Sequence, residues 1–361
     1  MTAVSERACA EDLFLRIAAM VSQPTYLMEV CGTHTVAIGR NGLRSRMPHD
    51  LHLVSGPGCP VCVTPAERID RLIRMSRQSG VTIVTFGDMM RVPGSDSTLE
   101  RERAIGQDVR VVHSAASALE MARAEPRRLF VFFGIGFETT SPTVAATLEQ
   151  AASTGASNFL VLPAFKLVPP AMDALAADEG SRIDGFICPG HVSAVIGSAP
   201  YGPIASSRGV PCVVTGFEAT DILEGVVMLL RQKAEGRADV EVQYARAVRP
   251  EGNPVALKFL ERVFRRREAT WRGIGTIPDS GFDLAPEFAH LDASHRIPVD
   301  VPSVPDLPAG CACGAVMTGK IIPPECALFG EVCAPLNPVG PCMVSSEGAC
   351  AAYYHYETGS R

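Results

Sequence analysis

From Tyr26 to Gly216 the chain repeats one pattern: a short apolar run, a loop, and then residues with helical spacing. The runs Tyr26–Val30, Leu51–Ser55, Val81–Gly87 and Val109–His113 form a first set. Arg128–Gly136, Asn158–Phe165, Gly185–Cys188 and Val210–Gly216 form a second. Helical patterns lie between them, as at Ala66–Ser79, Ala115–Ala124, Pro142–Thr154 and Ala219–Gln232. Runs this apolar read as strands covered on both faces, and their alternation with helices predicts an α/β fold with mainly parallel sheets. Two sets of four predict two α/β domains, 26–125 and 126–236, divided near Ala124–Arg128. Ahead of them, Glu11–Met20 places Leu13, Ile17 and Met20 on one side of a helix. This N-terminal segment, 1–25, is expected to pack on the far end of the chain.

After Gly236 the pattern changes. Val240–Val248 reads as a further strand and Pro254–Arg267 as a helix, but from Trp271 onward periodicity fades. Pro298, Pro302, Pro305 and Pro308 mark an extended connector. The region 237–361 then ends in six cysteines within forty residues: Cys311, Cys313, Cys326, Cys333, Cys342 and Cys350. So few periodic apolar residues predict a small domain ordered by a metal. Paired C-x2-C spacings, usual in zinc ribbons, are absent from this tail. Thiolates at these spacings point to an iron–sulfur cluster, with structural zinc and unligated thiols as alternatives. Cys311, Cys326, Cys333 and Cys350 are the chosen four for a 4Fe–4S cluster, with Cys313 and Cys342 as alternates.

The chain has 361 residues, 47% hydrophobic and 20% charged, with a net charge of −6. That balance is ordinary for a globular protein and argues against nucleic acid as the main partner. No segment has the apolar length of a membrane span, and the N-terminus lacks a secretory core, so a cytoplasmic location is expected. There, twelve cysteines favour metal binding or redox work over a disulfide framework. No P-loop and no G-x-S-x-G elbow is present.

Several loops that follow predicted strands carry chemistry. In Glu29-Val-Cys31-Gly-Thr-His34, a thiol stands beside an imidazole, a pairing suited to a nucleophile or a soft metal ligand. The plain alternative is a buried cysteine and a loop-capping histidine. Gly56-Pro-Gly-Cys59-Pro-Val-Cys62-Val-Thr64-Pro-Ala-Glu67 carries a C-x-x-C pair before a helix, with Thr64 as N-cap and Glu67 closing a capping box. The pair reads as a redox dithiol or as half of a zinc site. Arg68, Arg71, Arg74 and Arg77 then fall on one helix face, read as solvated. Gly134-Ile-Gly136-Phe-Glu138-Thr-Thr140-Ser141-Pro142 suggests a polar pocket for a small anion near a helix N-terminus, or ordinary capping. His191, in Cys188-Pro-Gly-His191, reads by default as a hydrogen-bonded core residue. Cys9 and Cys212 read as packing residues. Sites in open α/β sheets form past the strand C-termini. Cys31, His34, Cys59, Cys62, Glu138 and His191 are therefore expected to converge in one cleft.

These motifs, together with Gly87-Asp-Met-Met-Arg91-Val-Pro-Gly94, Phe137-Glu-Thr-Thr140 and Gly340-Pro-Cys342-Met-Val-Ser-Ser-Glu-Gly-Ala-Cys350, resemble the HypD family of nickel–iron hydrogenase maturation proteins. The resemblance runs from about Tyr26 to Tyr356. It implies two Rossmann-like α/β domains around a cleft, with a small iron–sulfur domain. It also implies a redox-active scaffold on which iron receives two cyanides and one carbon monoxide. In such proteins the iron lies between a cysteine of a small HypC-like chaperone and the cysteine of the C-G-T-H loop, here Cys31, with His34 near. The implied redox dithiol is Cys59 and Cys62, and the implied tail cofactor is a 4Fe–4S cluster. A HypE-like partner would donate cyanide, and the hydrogenase large subunit would be served indirectly. The runner-up is a disulfide reductase similar to ferredoxin:thioredoxin reductase. One departure stands at Phe165-Lys166, where many relatives carry histidine before the lysine; Phe165 offers neither a ligand nor a proton-transfer group.

Overall fold

The computed structural model describes residues 3–303 and 305–358. All eight strands expected between Tyr26 and Gly216 form: β1 (Thr25–Glu29), β2 (Leu51–Ser55), β3 (Val81–Thr85), β4 (Val109–Val111), β5 (Leu129–Gly134), β6 (Phe159–Pro163), β7 (Gly185–Pro189) and β8 (Cys212–Thr215). β9 is short, Val240–Val242. Every residue of β3, β6, β7 and β8 is buried, as strands covered on both faces require. All pairings among these nine strands are parallel.

The strands do not divide as their order in the chain suggests. One sheet runs β2-β1-β7-β8-β9 and the other β4-β3-β5-β6. The chain leaves the first sheet after β2, builds the second, and returns at β7, which pairs with β1. The boundary expected near Ala124–Arg128 falls instead inside the second sheet, between β4 and β5. Local apolar patterning marks a strand but does not name its neighbours.

Beyond β9 the sequence was harder to read. The helix begun at Pro254 stops at Val263, and Phe264–Trp271 is strand β10. It forms an antiparallel hairpin with β11, Gly275–Leu284, in the stretch expected to be irregular. The hairpin has its own alternation: Phe264, Ala269 and Trp271 are buried, while Arg265, Arg266 and Thr270 are exposed.

The N-terminal helix, Ala3–Met20, lies against helix Ala219–Ala234, not on the cysteine-rich end. Leu13, Phe14 and Ile17 share a core with Ile222, Leu223 and Val226. Their apolar stripe faces the covering helix of the first sheet, where it is removed from water. Nor does the tail stand as a separate core. Met317, Met343, Val344 and Ala351 join the same hydrophobic cluster as Met28, Val30 and Ile83, and helix Ala349–Tyr356 packs on helix Gly32–Arg40.

The arginine row behaves partly as expected. Arg71 pairs with Glu67 at 2.7 Å, and Arg77 forks onto the buried carboxylate of Glu102 at 2.7 and 2.9 Å. Phe165 is buried, edge-on to Phe264. Cys9 is half-buried beside the N-terminal core, and Cys212 is buried on β8. Both match the packing reading.

Candidate functional site

The C-terminal ends of β2, β1, β7 and β8 lie side by side in the first sheet. Cys59 and Cys62 follow β2, Cys31 and His34 follow β1, His191 follows β7, and Phe217 follows β8. β2 and β7 flank β1 on opposite sides, so these loops meet past the strand C-termini, the usual position for a site in such sheets.

Cys31 is the N-cap of helix Gly32–Arg40. The backbone N–H groups of Thr33 and His34, at the start of that helix, favour thiolate. Burial is the larger influence and pushes the thiol up to about 12. Part of the residue stays open to solvent. Below it, the Cys31 N–H donates to Glu29 Oε2 at 3.1 Å, and the Thr35 hydroxyl donates to Glu29 Oε1 at 2.6 Å. Glu29 is fully buried, and desolvation raises its carboxyl to about 7.

His34 is buried, and desolvation lowers it to about 4, so it is neutral at neutral pH. Its Nε2 lies 2.8 Å from the Gly216 carbonyl oxygen, which only accepts. The proton therefore sits on Nε2 and the lone pair on Nδ1, which is buried without a hydrogen-bond partner. A neutral imidazole held this way by a backbone carbonyl has the second-sphere arrangement typical of a metal-binding histidine. His34 stacks on Phe217 at 4.6 Å, and His191 stacks on the same ring at 4.0 Å. His191 is exposed rather than a core residue; its position at the rim after β7 leaves one face to solvent.

Cys59 and Cys62 form a disulfide. Cys59 caps the short helix Pro60–Val63, and its sulfur accepts from the Cys62 N–H at 3.2 Å. The expected capping box does not form. Thr64 bonds back to the Pro60 carbonyl at 2.8 Å, and Pro65 becomes the N-cap of the next helix, Ala66–Ser76. The pair is fixed on two sides. Gly58 backs onto Cys31, where any Cβ would overlap the Cys31 backbone, and the Gly58 carbonyl accepts from Gly32 at 2.9 Å. Cys62 approaches the Pro341 carbonyl oxygen at 3.8 Å.

Pro341 opens helix Pro341–Val344, which carries Cys342. The Cys342 thiol stands close to those of Cys313 and Cys350, and Cys311 stands close to Cys313. The neighbouring Cys313 and Cys342 thiols hold Cys350 below the usual thiol range. Cys333 accepts from the Val339 N–H at 3.3 Å and is close enough to Cys350 for its charge to act there. Cys326 is half-buried in the neighbouring turn. Gly340 makes room for this group, since a Cβ there would stand 2.5 Å from Cys311 Sγ and 2.7 Å from Cys313 Sγ. Among the described residues, no three His, Cys, Asp or Glu side chains stand in a ready metal-holding arrangement. As a donor set, however, thiols gathered by hydrophobic packing suit an iron–sulfur cluster.

Glu138 does not join the Cys31 loops. It follows β5, in the other sheet, and lines a cavity that contains none of Cys31, His34, Cys59, Cys62 or His191. That cavity is mainly apolar rather than a polar anion pocket. Sequence reasoning also passed over three residues. Glu29 and Glu347 were already inside quoted motifs; the Thr33 hydroxyl donates to Glu347 Oε1 at 3.2 Å, tying the tail to the Cys31 loop. Phe217 had no signal, because its role depends on β8 lying beside β7.

Comparison with known proteins agrees with these motifs. The HypD profile, described as "Hydrogenase formation hypA family", matches residues 8–357. The chain is 47% identical over 345 residues to hydrogenase maturation factor HypD of Rhodobacter capsulatus, covering 94% of this chain and 92% of that one. It is 46% identical over 358 residues to hydrogenase expression/formation protein HupD of Azotobacter chroococcum, covering 97% and 94%. It is 43% identical over 359 residues to HypD of Cupriavidus necator, covering 96% and 94%. No helix among the described residues is long and apolar enough to cross a membrane. With the Cys31, Cys59–Cys62 and His191 loops on one sheet edge and nearly its whole length matched, the chain belongs to the HypD family of hydrogenase maturation factors.

Proposed function

We propose that the protein is a cytoplasmic, redox-active scaffold that holds iron while it acquires two cyanides and one carbon monoxide. Cys31 supplies one thiolate to this iron and a HypC-like chaperone supplies a second. Soft thiolates suit iron that carries strong-field ligands. The bare Nδ1 of His34 is the nearest candidate in sequence for a further donor, and Glu29 holds the Cys31 backbone in place. The observation that carries the reading is the contact of the Cys59–Cys62 loop with Cys31 through Gly58. It keeps a two-electron couple beside the proposed iron ligand.

Cyanide held as a thiocyanate on a HypE-like donor needs two electrons to leave. In the proposed step the donor's S–C bond breaks, its sulfur departs as a thiol, and cyanide passes to iron. Cys59 and Cys62 supply the two electrons, closing to a disulfide and releasing one net proton. Returning the disulfide to the dithiol takes two electrons and two protons. The proposed ligands of a tail 4Fe–4S cluster are Cys311, Cys326, Cys333 and Cys350, with Cys313 and Cys342 as alternates. When bound, such a cluster supplies single electrons. Cys342, at the centre of the thiol group, directly follows the Pro341 that touches Cys62. The completed iron unit is destined for the hydrogenase large subunit.

The test is anaerobic co-purification with the small chaperone, followed by infrared spectroscopy and iron and sulfide analysis. Cys31→Ala is expected to lose the cyanide and carbon monoxide bands while tail iron and sulfide stay; full cyanide bands in that variant would refute the assignment. A disulfide reductase is the second reading, favoured by the disulfide against the thiol-rich tail. It predicts that Cys31→Ala leaves the protein's work intact.

A further inference from the structure

A cavity of about 710 Å³ lies between the start of helix Val168–Ala177 and the hairpin, walled by Leu167, Pro170, Ile204, Leu260, Phe264 and Phe282. Glu138 lines it too and is only 3% exposed. Its Oε1 accepts from the Val168 N–H at 2.9 Å. Its Oε2 is buried with no hydrogen-bond partner. Native proteins seldom leave a buried acceptor unpaired without a use for it.

Two other charged groups on the wall, Asp173 and Arg265, have partners elsewhere. Asp173 is held at both oxygens by Arg208, at 2.8 and 2.9 Å. Arg265 donates to the carbonyls of Glu261 and Phe264. Arg266 is the cation whose charge reaches Glu138, without a hydrogen bond to it. A mainly apolar cavity with a few polar groups on its wall is the general form of a small-molecule site, and the volume lies within the range of such sites.

We propose that this cavity binds a small, largely apolar molecule through one N–H or O–H donor that pairs with Glu138 Oε2. The site is separate from the Cys31 loops and does not depend on the scaffold reading.

Indole and 1-methylindole test it by calorimetric titration of the purified full chain at pH 8, where the Glu138 carboxyl is ionised and Oε2 accepts. The methyl analogue has the same ring and more apolar surface, so burial alone favours it; only a donor to Glu138 reverses the order. Saturable indole binding is expected, at least about tenfold tighter than for 1-methylindole. In Glu138→Gln the Val168 N–H takes the amide oxygen and leaves an NH2, a donor, where Oε2 stood. Indole's advantage should then vanish. Leu257→Trp, at a half-buried wall position, should reduce binding of both probes. Four results overturn the proposal: no saturable indole binding, equal or tighter binding of 1-methylindole, an unchanged preference in Glu138→Gln, or undiminished binding in Leu257→Trp. If the Trp variant does not fold, the order of the two probes in the unaltered chain decides.

Discussion

Gly58 presses its backbone against Cys31, and this contact joins the loop after β2 to the loop after β1. Gly58→Ala would drive a methyl group into the Cys31 backbone, which cannot swing aside as a side chain can. Overpacking of this kind costs about 1–3 kcal/mol. The expected results are a thermal midpoint lowered by a few degrees and faster alkylation of Cys31 by iodoacetamide without reductant. An unchanged midpoint and rate would show that the close approach is not needed.

Gly340 has the matching place in the tail. Gly340→Ala puts a methyl group against the sulfurs of Cys311 and Cys313. Anaerobic reconstitution should then give clearly less tail iron and sulfide than in the parent, while Cys9→Ser, in the N-terminal helix, should match the parent. Equal loading in Gly340→Ala would mean that Cys311 and Cys313 need not stay where they are.

His34 sets a pH dependence of stability. Its imidazole is lowered to about 4 in the fold, against 6.5 when free. As pH falls from 6.5 toward 4, the unfolded chain takes up a proton that the folded chain refuses, so stability is lost on acidification. A shift of this size corresponds to about 3 kcal/mol. His34→Gln keeps a donor for the Gly216 carbonyl and lacks the titration. Its deficit relative to the parent, measured by urea unfolding, should therefore narrow from pH 7 to pH 4.5. A constant gap would contradict a neutral buried His34.

Glu138 acts in the opposite sense. Burial raises its carboxyl from 4.5 to about 7. The folded chain holds a proton that the unfolded chain releases, so stability is lost as pH rises from 4.5 through 7. Glu138→Gln should be no less stable than the parent at pH 5 and more stable at pH 8, with the gain bounded by about 3 kcal/mol. A smaller gain at pH 8 than at pH 5 would contradict a costly buried carboxylate.

Much of this site was legible in the sequence because its parts are local. A strand such as Leu51–Ser55, the loop that leaves it and the Cys59–Cys62 pair all follow from neighbours in the chain. So did the cysteine-rich tail. The hairpin was missed because the helix from Pro254 runs without a break into β10, and no turn residue separates Val263 from Phe264. The tail's apolar residues lacked a regular period because they pack into a core built by other segments.

By itself, the sequence determined that the protein alternates strands and helices, that its reactive loops follow strand ends, and which thiols and imidazoles those loops carry. Hydrophobic runs and turn residues act over a few positions, so the chain order alone encodes them. Only the tertiary structure decided that β7 returns beside β1 while β5 lies in another sheet. That pairing brings His191 to His34 through the ring of Phe217 and sends Glu138 to a cavity of its own. Strand partners are chosen by burial across the whole fold, a property that no stretch of sequence holds alone.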